Sequence, residues 1–147
     1  MFEIICKPDF EYGLEGRLLT CTLYCRTQFG DFPTSQWVDF PMTLLEWWAD
    51  EISNVARSKY ANFKLLFEDG PFWIEGVKED NIVILEFKTT HKEIYDYPKI
   101  ESSLSELVNA ILSMGINLKH YMIDEKRWEN VNEINKYCSK LKNIMME

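Results

Sequence analysis

The residues best suited to chemistry lie in one stretch, residues 68–80, where carboxylates alternate with aromatic and aliphatic side chains around one cation, Lys78. On a strand, Trp73 and Glu75 would face solvent while Phe72 and Ile74 would face the core. An aromatic anchor flanked by carboxylates suits a cationic protein surface, since the anions steer encounter and the ring supplies contact area. The predicted partner-binding residues are Asp39, Glu68, Asp69, Trp73, Glu75, Glu79 and Asp80.

The same stretch has a plainer interpretation, in which Trp73 packs beneath a helix and the acids only keep the protein in solution. The total charge limits the choice of partner in either case. The net charge is −8 and the pI about 4.8, which argues against nucleic acid because phosphate binding requires clustered cations. Residues 1–118 include 19 acidic and 10 basic residues, whereas residues 119–147 include five acidic and six basic residues.

Motifs for catalysis are absent from the sequence. Its two histidines, His91 and His120, stand in no motif, no serine lies in GxSxG, and the six glycines match neither a phosphate loop nor a dinucleotide fingerprint. Adjacent acids such as Asp50 and Glu51 are typical of solvated helix faces. We therefore predict a protein that is not an enzyme and that uses no cofactor and no metal.

The cysteines and the first residues bear on cellular location. Cys21 and Cys25 would lie about 13 Å apart on one strand, too far for a disulfide, and Cys6 and Cys138 complete a set that contains no CxxC. We predict that all four are small packed hydrophobes. Residues 1–7 lack the features of a secretory signal, and no apolar run approaches the ~18 residues of a membrane span. We expect a cytoplasmic protein that does not bind a membrane.

Two strands and a helix are predicted in the first part of the chain. Alternation before Pro8 predicts a strand over residues 2–7, and residues 17–26 should form a strand with one buried face. Thr43 and Glu46 fit a capping box, so we predict a helix from residue 43 to about residue 58.

Three strands and two helices are predicted in the second part. The strands cover residues 62–68, 72–78 and 82–89, joined by short turns, and residues 91–98 could add an edge strand. Ser103 and Glu106 fit a second capping box. The helix that begins there either ends at Gly115 or continues to about residue 123, and a further helix with a cap at Asp124 runs to the end.

The order of these elements predicts the fold class. Strands that pair through short turns, with helices late in the chain, indicate an α+β fold rather than a doubly wound parallel sheet. We predict a single domain over residues 1–147. It contains a mainly antiparallel sheet of about five strands, one helix between strands and a C-terminal helical hairpin.

A resemblance adds a function to this fold. The segment Phe32–Pro41, followed by Leu44–Trp48 and the turn Phe67–Phe72, resembles acidic immunity proteins encoded beside polymorphic or contact-dependent toxins, and also small uncharacterised bacterial proteins. It covers residues 17–90. The resemblance implies a cytoplasmic inhibitor that binds a cognate toxin domain, often a basic nuclease, and blocks its active site. Since such families vary at their binding surfaces, no residue role is carried over.

Two other functions stay open at this point. The terminal helical hairpin could dock a partner or a second copy, as in an adaptor or a self-associating structural protein. A small-molecule pocket could also lie between the helices and the sheet, lined by Trp47, Trp48 and Tyr24. The oligomeric state is left open.

Overall fold

The computed structural model describes residues 1–8, 19–90 and 96–146. Three helices are present in this part: α1 (Pro41–Val55), α2 (Leu104–Asp124) and α3 (Trp128–Met145). The strands are β1 (Phe2–Lys7), β2 (Cys21–Thr27), β3 (Gly30–Phe32), β4 (Val38–Asp39), β5 (Tyr60–Leu66), β6 (Phe72–Glu79), β7 (Ile82–Thr89) and β8 (Ile100–Ser103).

These strands form two antiparallel sheets of four strands each. In the first sheet the order is β1-β2-β3, and β4 also pairs with β2. The second sheet has the order β5-β6-β7-β8. The predicted α+β class, with a helix between strands and helices at the C-terminal end, is confirmed. The eight strands exceed the predicted five because β3, β4 and β8, of three, two and four residues, are too short to show a clear period in the sequence.

The second sheet contains the predicted meander. β7 has the predicted bounds and lies inside the sheet, and β5 begins two residues before the predicted position. On the inner face, Phe63 and Leu65 of β5 are buried beside Ile74 of β6 and Leu85 of β7. The predicted edge strand over residues 91–98 falls partly on residues 91–95, which lie outside the described residues, and the outer strand of the sheet is β8.

The predicted start of α1 is wrong. The helix begins at Pro41, so Thr43 lies inside it, and Phe40 occupies the cap position with no side-chain hydrogen bond. Proline suits the first helical position because its fixed φ matches the helix and its missing N–H would have no partner there. The helix ends at Val55, three residues before the predicted end.

The helical hairpin at the C-terminal end is confirmed. Ser103 caps α2 by accepting a hydrogen bond from the Glu106 N–H at 3.0 Å, while the Glu106 carboxylate accepts from Ser102 Oγ at 2.6 Å. α2 continues through Gly115, which packs against Cys138 of α3. Arg127, not Asp124, occupies the cap position of α3. None of the helices in the described ranges is long and apolar enough to cross a membrane.

Burial in the first sheet is more complete than predicted. Residues 21–25 of β2 are all buried, including Thr22 and Tyr24 on the face predicted to be solvated, so the prediction of a half-buried strand is wrong. The four cysteines are buried thiols, as predicted. Burial raises the pKa of the Cys25 thiol, which keeps it protonated and unreactive.

Aromatic rings join the two sheets. The ring of Phe32, at the end of β3, contacts the rings of Phe67, Phe72 and Phe87 edge-on at centroid distances of 5.8, 5.8 and 5.0 Å. Trp48 of α1 adds a further edge contact to Phe67 at 5.3 Å. Such pairs contribute beyond the area they bury, so this cluster fixes the second sheet against the rest of the fold.

Candidate protein-binding surface

The second sheet presents to solvent a face, here called the outer face, on which side chains from three neighbouring strands meet. Alternation along each strand and the register between strands define it. The residues are Tyr60, Asn62, Lys64 and Leu66 of β5, Trp73, Glu75, Val77 and Glu79 of β6, and Ile82, Ile84, Glu86 and Lys88 of β7.

Large apolar side chains are exposed on the outer face. Tyr60 is 62% exposed, Val77 50%, Ile82 49% and Leu66 45%. Val77 lies opposite Ile84, and Leu66 lies opposite Trp73. Apolar side chains grouped on one solvated face are typical of a surface that contacts another molecule.

Trp73 lies on this face with Glu75, as predicted. Ile74 between them is buried, whereas Trp73 and Glu75 are partly exposed. The indole N–H of Trp73 donates to Glu75 Oε1 at 3.1 Å. On its other side Trp73 lies opposite Lys88 of β7. The ring is therefore held in a fixed orientation at the surface, where it can serve as an anchor.

Lysines neutralise the acids in the middle of the outer face. Glu75 and Glu86 lie directly opposite each other, an arrangement that is destabilising for like charges. Lys64 Nζ is 3.9 Å from Glu75, and the Nζ atoms of Lys88 and Lys99 are each 3.0 Å from Glu86. Hydrogen bonds from Lys88 and Lys99 lower the pKa of Glu86. The centre of the face is thus apolar and mixed in charge, not anionic.

The remaining predicted acids divide between the two ends of β6. Glu68 and Asp69 are exposed in the turn that precedes β6, and Glu79 and Asp80 are exposed where it ends. Eight residues at about 3.3 Å each separate the two groups by about 25 Å. The structure therefore does not bring the predicted acids together in one patch. It places an acidic turn at each end of the outer face.

Asp39 is not on the surface, so the prediction that it binds a partner is wrong. It is fully buried, and its carboxylate accepts four hydrogen bonds. The donors are the indole N–H of Trp37 at 3.0 Å and the backbone N–H groups of Phe40, Glu68 and Asp69 at 2.8, 3.2 and 3.2 Å. Burial raises the pKa of Asp39, and the four donors oppose that rise. Asp39 thus organises the acidic turn from beneath.

Lys78, the cation of the predicted stretch, is also buried. It lies on the inner face of β6, and its ammonium donates to the Ser58 carbonyl. His120 is exposed on α2, and His91 lies outside the described residues. Within residues 1–8, 19–90 and 96–146, no group of three or more His, Cys, Asp or Glu could hold a metal ion.

A shallow groove of about 550 Å³ crosses the outer face beside β5, lined by residues that include Asn62, Lys64, Leu66, Glu75 and Val77. The groove is lined by aliphatic side chains and by charged groups that already pair with each other. Such a lining suits contact with the side chains of another protein. Among the described residues, Trp47, Trp48 and Tyr24 do not line the predicted pocket together, because Trp48 and Tyr24 are buried while Trp47 is on the surface.

The apolar members of this surface, namely Tyr60, Leu66, Val77 and Ile82, were not predicted from the sequence. The signal was an apolar residue at a position that alternation assigns to solvent, as at Leu66 between Leu65 and Phe67. No protein-family profile, curated protein or solved structure matches this chain. The resemblance to immunity proteins therefore stays a prediction.

Proposed function

We propose that this chain is a cytoplasmic binding protein that neutralises a cognate toxin domain, such as a basic nuclease, by covering its active site with the outer face of the second sheet. The observation that carries the proposal is the series of exposed apolar side chains along the outer face. It begins with Leu66 beside Trp73 and continues through Val77 to Tyr60 and Ile82 at the other end of β6. The active site of a toxin enzyme is concave, and a rigid sheet face with an aromatic anchor can block the entrance to such a site.

The outer face alone is too small for a standard interface, so the two acidic turns must also contact the partner. Three strands spaced by ~4.8 Å and about eight residues long give a face of roughly 400 Å². A standard interface takes about 800 Å² from each partner, so contact must extend beyond the sheet onto the turns with Glu68, Asp69 and Asp80. Their carboxylates are exposed and would meet the cationic rim of a site that binds phosphates.

Two substitutions of tryptophan test the surface. The partner is the toxin domain encoded beside this chain, and the measurement is calorimetric titration of the complex. Trp73→Ala should weaken binding by about 30-fold or more, as for an aromatic hot spot. Trp128→Ala removes a side chain of the same size that is more exposed than Trp73, 58% exposed at the start of α3, and should leave affinity unchanged.

The acidic turns are tested by kinetics. Glu68→Lys combined with Asp69→Lys should slow association several-fold at low salt and leave dissociation nearly constant, because exposed charges act mainly on encounter. The difference from the parent protein should vanish near 1 M salt, where the Debye length falls to about 3 Å. Equal effects of Trp73→Ala and Trp128→Ala, or no complex with the neighbouring toxin domain, would overturn the proposal.

A further inference from the structure

β1 lies at the margin of the first sheet in the described part of the chain. β1 pairs with β2 along residues 2–7, and no other strand in residues 1–8, 19–90 and 96–146 pairs with it. An open edge presents a row of backbone N–H and C=O groups that a further strand can bind.

The register shows which residues of β1 direct these groups outward. Leu23 lies opposite Cys6, and the Leu23 N–H donates to the Trp37 carbonyl at 2.7 Å, on the side away from β1. Residues directly opposite in an antiparallel pair either bond to each other or both face away. Cys6 therefore faces away from β2. Since the direction alternates along a strand, Phe2 and Ile4 face outward as well.

α2 borders this edge but leaves space beside it. A groove of about 700 Å³ lies between residues 2–5 and the side of α2 that carries Ser105, Asn109 and Ser113. These residues recur every fourth position, so they form one row of small side chains along the helix. Asn117 continues the row, and its amide donates to the Cys6 carbonyl, which keeps a second lone pair for another donor.

The edge of the second sheet at β5 is different, because α1 occupies its hydrogen-bonding groups. The indole N–H of Trp48 donates to the Leu66 carbonyl at 2.8 Å, and the Lys64 N–H donates to Glu51 Oε1 at 3.3 Å. Side chains of α1 thus close that edge at two places. Of these two edges, β1 is the one that can accept a strand.

The sequence of β1 complements itself in the antiparallel direction. When Ile5 is placed opposite Ile5 of a second copy, each Glu3 lies opposite Lys7 of that copy. The same register places Ile4 opposite Cys6, and both face outward, so they form the hydrogen-bonded pairs of an antiparallel ladder. A shift of two residues either way keeps the ladder and loses both charge pairs.

We infer that β1 binds β1 of a second copy of this chain, with Ile5 on the twofold axis, and joins the first sheets of two protomers into one sheet of eight strands. The interface is isologous, as in most homodimers. It uses a different sheet from the surface proposed for the toxin, so either can fail without the other.

The primary test is sedimentation velocity of the full chain over a wide range of concentration. A ladder of about five residues per strand buries less than the ~800 Å² per partner of a standard interface, so we expect a dissociation constant of about 10–100 µM. The sedimentation coefficient should rise from the monomer to the dimer value between about 5 and 500 µM, a range that brackets this constant.

Cross-linking tests the register. In the inferred dimer the two Ile5 residues form a non-hydrogen-bonded pair with Cα atoms about 4.5 Å apart, within the range for a disulfide. Ile5→Cys should therefore give a disulfide-linked dimer under mild oxidation. Glu3→Cys is the matched control, because its own copy lies about 13 Å away. The parent protein, with its buried cysteines, gives the background.

Exchange of the charges distinguishes a second copy from any other occupant of the edge. Glu3→Lys places like charges opposite at both ends of the ladder and should weaken dimerisation by about tenfold. Glu3→Lys combined with Lys7→Glu restores both pairs in a self-dimer and should return the constant to within about threefold of the parent value, since the pairs are unchanged in kind.

Three results would overturn the inference. They are a monomer throughout the concentration range, equal cross-linking of Ile5→Cys and Glu3→Cys, and a double exchange that binds as weakly as Glu3→Lys alone. If the double exchange binds as weakly as Glu3→Lys alone and a dimer still forms, the dimer must use another surface.

Discussion

The carboxylate of Asp39 accepts a hydrogen bond from the backbone N–H of Asp69, with 3.2 Å between N and Oδ2. A buried aspartate thus holds the turn whose own aspartate is exposed. The second oxygen of Asp39 does the same for the N–H of Glu68 at 3.2 Å. One of the two acidic turns of the proposed surface therefore depends on a residue that the partner would never touch.

Substitution of Asp39 should destabilise the protein more than its size suggests. Asp39→Ala leaves one indole N–H and three backbone N–H groups without their acceptor, and each buried donor left unsatisfied costs about 1–3 kcal/mol. Because water can reach donors in the exposed turn, we expect a total loss of about 2–4 kcal/mol. Urea denaturation followed by tryptophan fluorescence measures it.

Asp69→Ala is the matched control for this prediction. Its side chain is exposed, so the free energy of unfolding should change by no more than about 0.5 kcal/mol. Asp39→Asn should lie between the two, since the amide keeps one accepting oxygen and replaces the other by a donor. Equal stability of Asp39→Ala and Asp69→Ala would show that the carboxylate does not support the turn.

Gly76 should not tolerate alanine, because the ring of Phe63 lies over it. The two residues are direct cross-strand partners, and a Cβ added at Gly76 would come within 2.0 Å of the Phe63 ring. The ring would have to move within a packed core, which typically costs about 1–3 kcal/mol. We expect Gly76→Ala to lower the free energy of unfolding by about this amount in chemical denaturation.

A double-mutant cycle isolates the contact between Gly76 and Phe63. Phe63→Leu alone should destabilise by leaving space, whereas Phe63→Leu combined with Gly76→Ala should cost less than the sum of the single changes. Strict additivity would mean that the alanine methyl group is accommodated without moving the ring.

Alkaline pH should destabilise the protein in part through Tyr137. Burial, together with the carboxylates of Glu46, Asp50 and Glu133, raises the pKa of Tyr137 to about 12, compared with about 10 in the unfolded chain. Between these values the unfolded state releases the phenol proton while the folded state keeps it, so a rise in pH favours unfolding. The contribution of Tyr137 is complete below pH 10 and is lost as the pH approaches 12.

Tyr137→Phe tests this assignment, because phenylalanine has no proton to lose. The free energy of unfolding of Tyr137→Phe should fall less steeply than that of the parent protein between pH 9 and pH 11. The absorbance at 295 nm should also lose one phenolate that titrates late, near pH 12. Identical slopes for the two proteins would show that the phenol titrates alike in the folded and unfolded states.

Periodic segments could be predicted from the sequence because neighbours decide their structure. The bounding turns predicted the correct ends of β7, whose first four residues are all apolar, and the three- and four-residue spacing predicted the helices. The predicted start of α1 was wrong because Thr43 and Glu46 fit a capping box, whereas the helix begins two residues earlier, at Pro41. The division into two sheets depends on strands of two and three residues, which are set by tertiary contacts.

The candidate surface was predictable only in part. Alternation placed Trp73 and Glu75 on the solvent side, since that depends on one strand alone. Asp39 was predicted to be exposed because an acid in a loop is usually solvated. The hydrogen-bond donors that satisfy its buried carboxylate come from residues up to 30 positions away. The separation of the acids into two groups likewise follows from the length of β6. In the sequence these acids are close together, so their distance in space is not evident.

Gly115 provides the last prediction, at the point where α2 meets α3. In an open helix, replacement of an internal glycine by alanine stabilises by about 1 kcal/mol. Here the added Cβ would lie 2.7 Å from Cys138 Sγ and 3.5 Å from a methyl group of Leu45, so Gly115→Ala should instead destabilise by about 1–2 kcal/mol. Gly115→Ala combined with Cys138→Ala removes the sulfur and should recover most of the loss in thermal and urea denaturation. Ser113→Ala, exposed on the same helix, serves as the control, and a Gly115→Ala protein more stable than the parent would refute the close approach of the two helices.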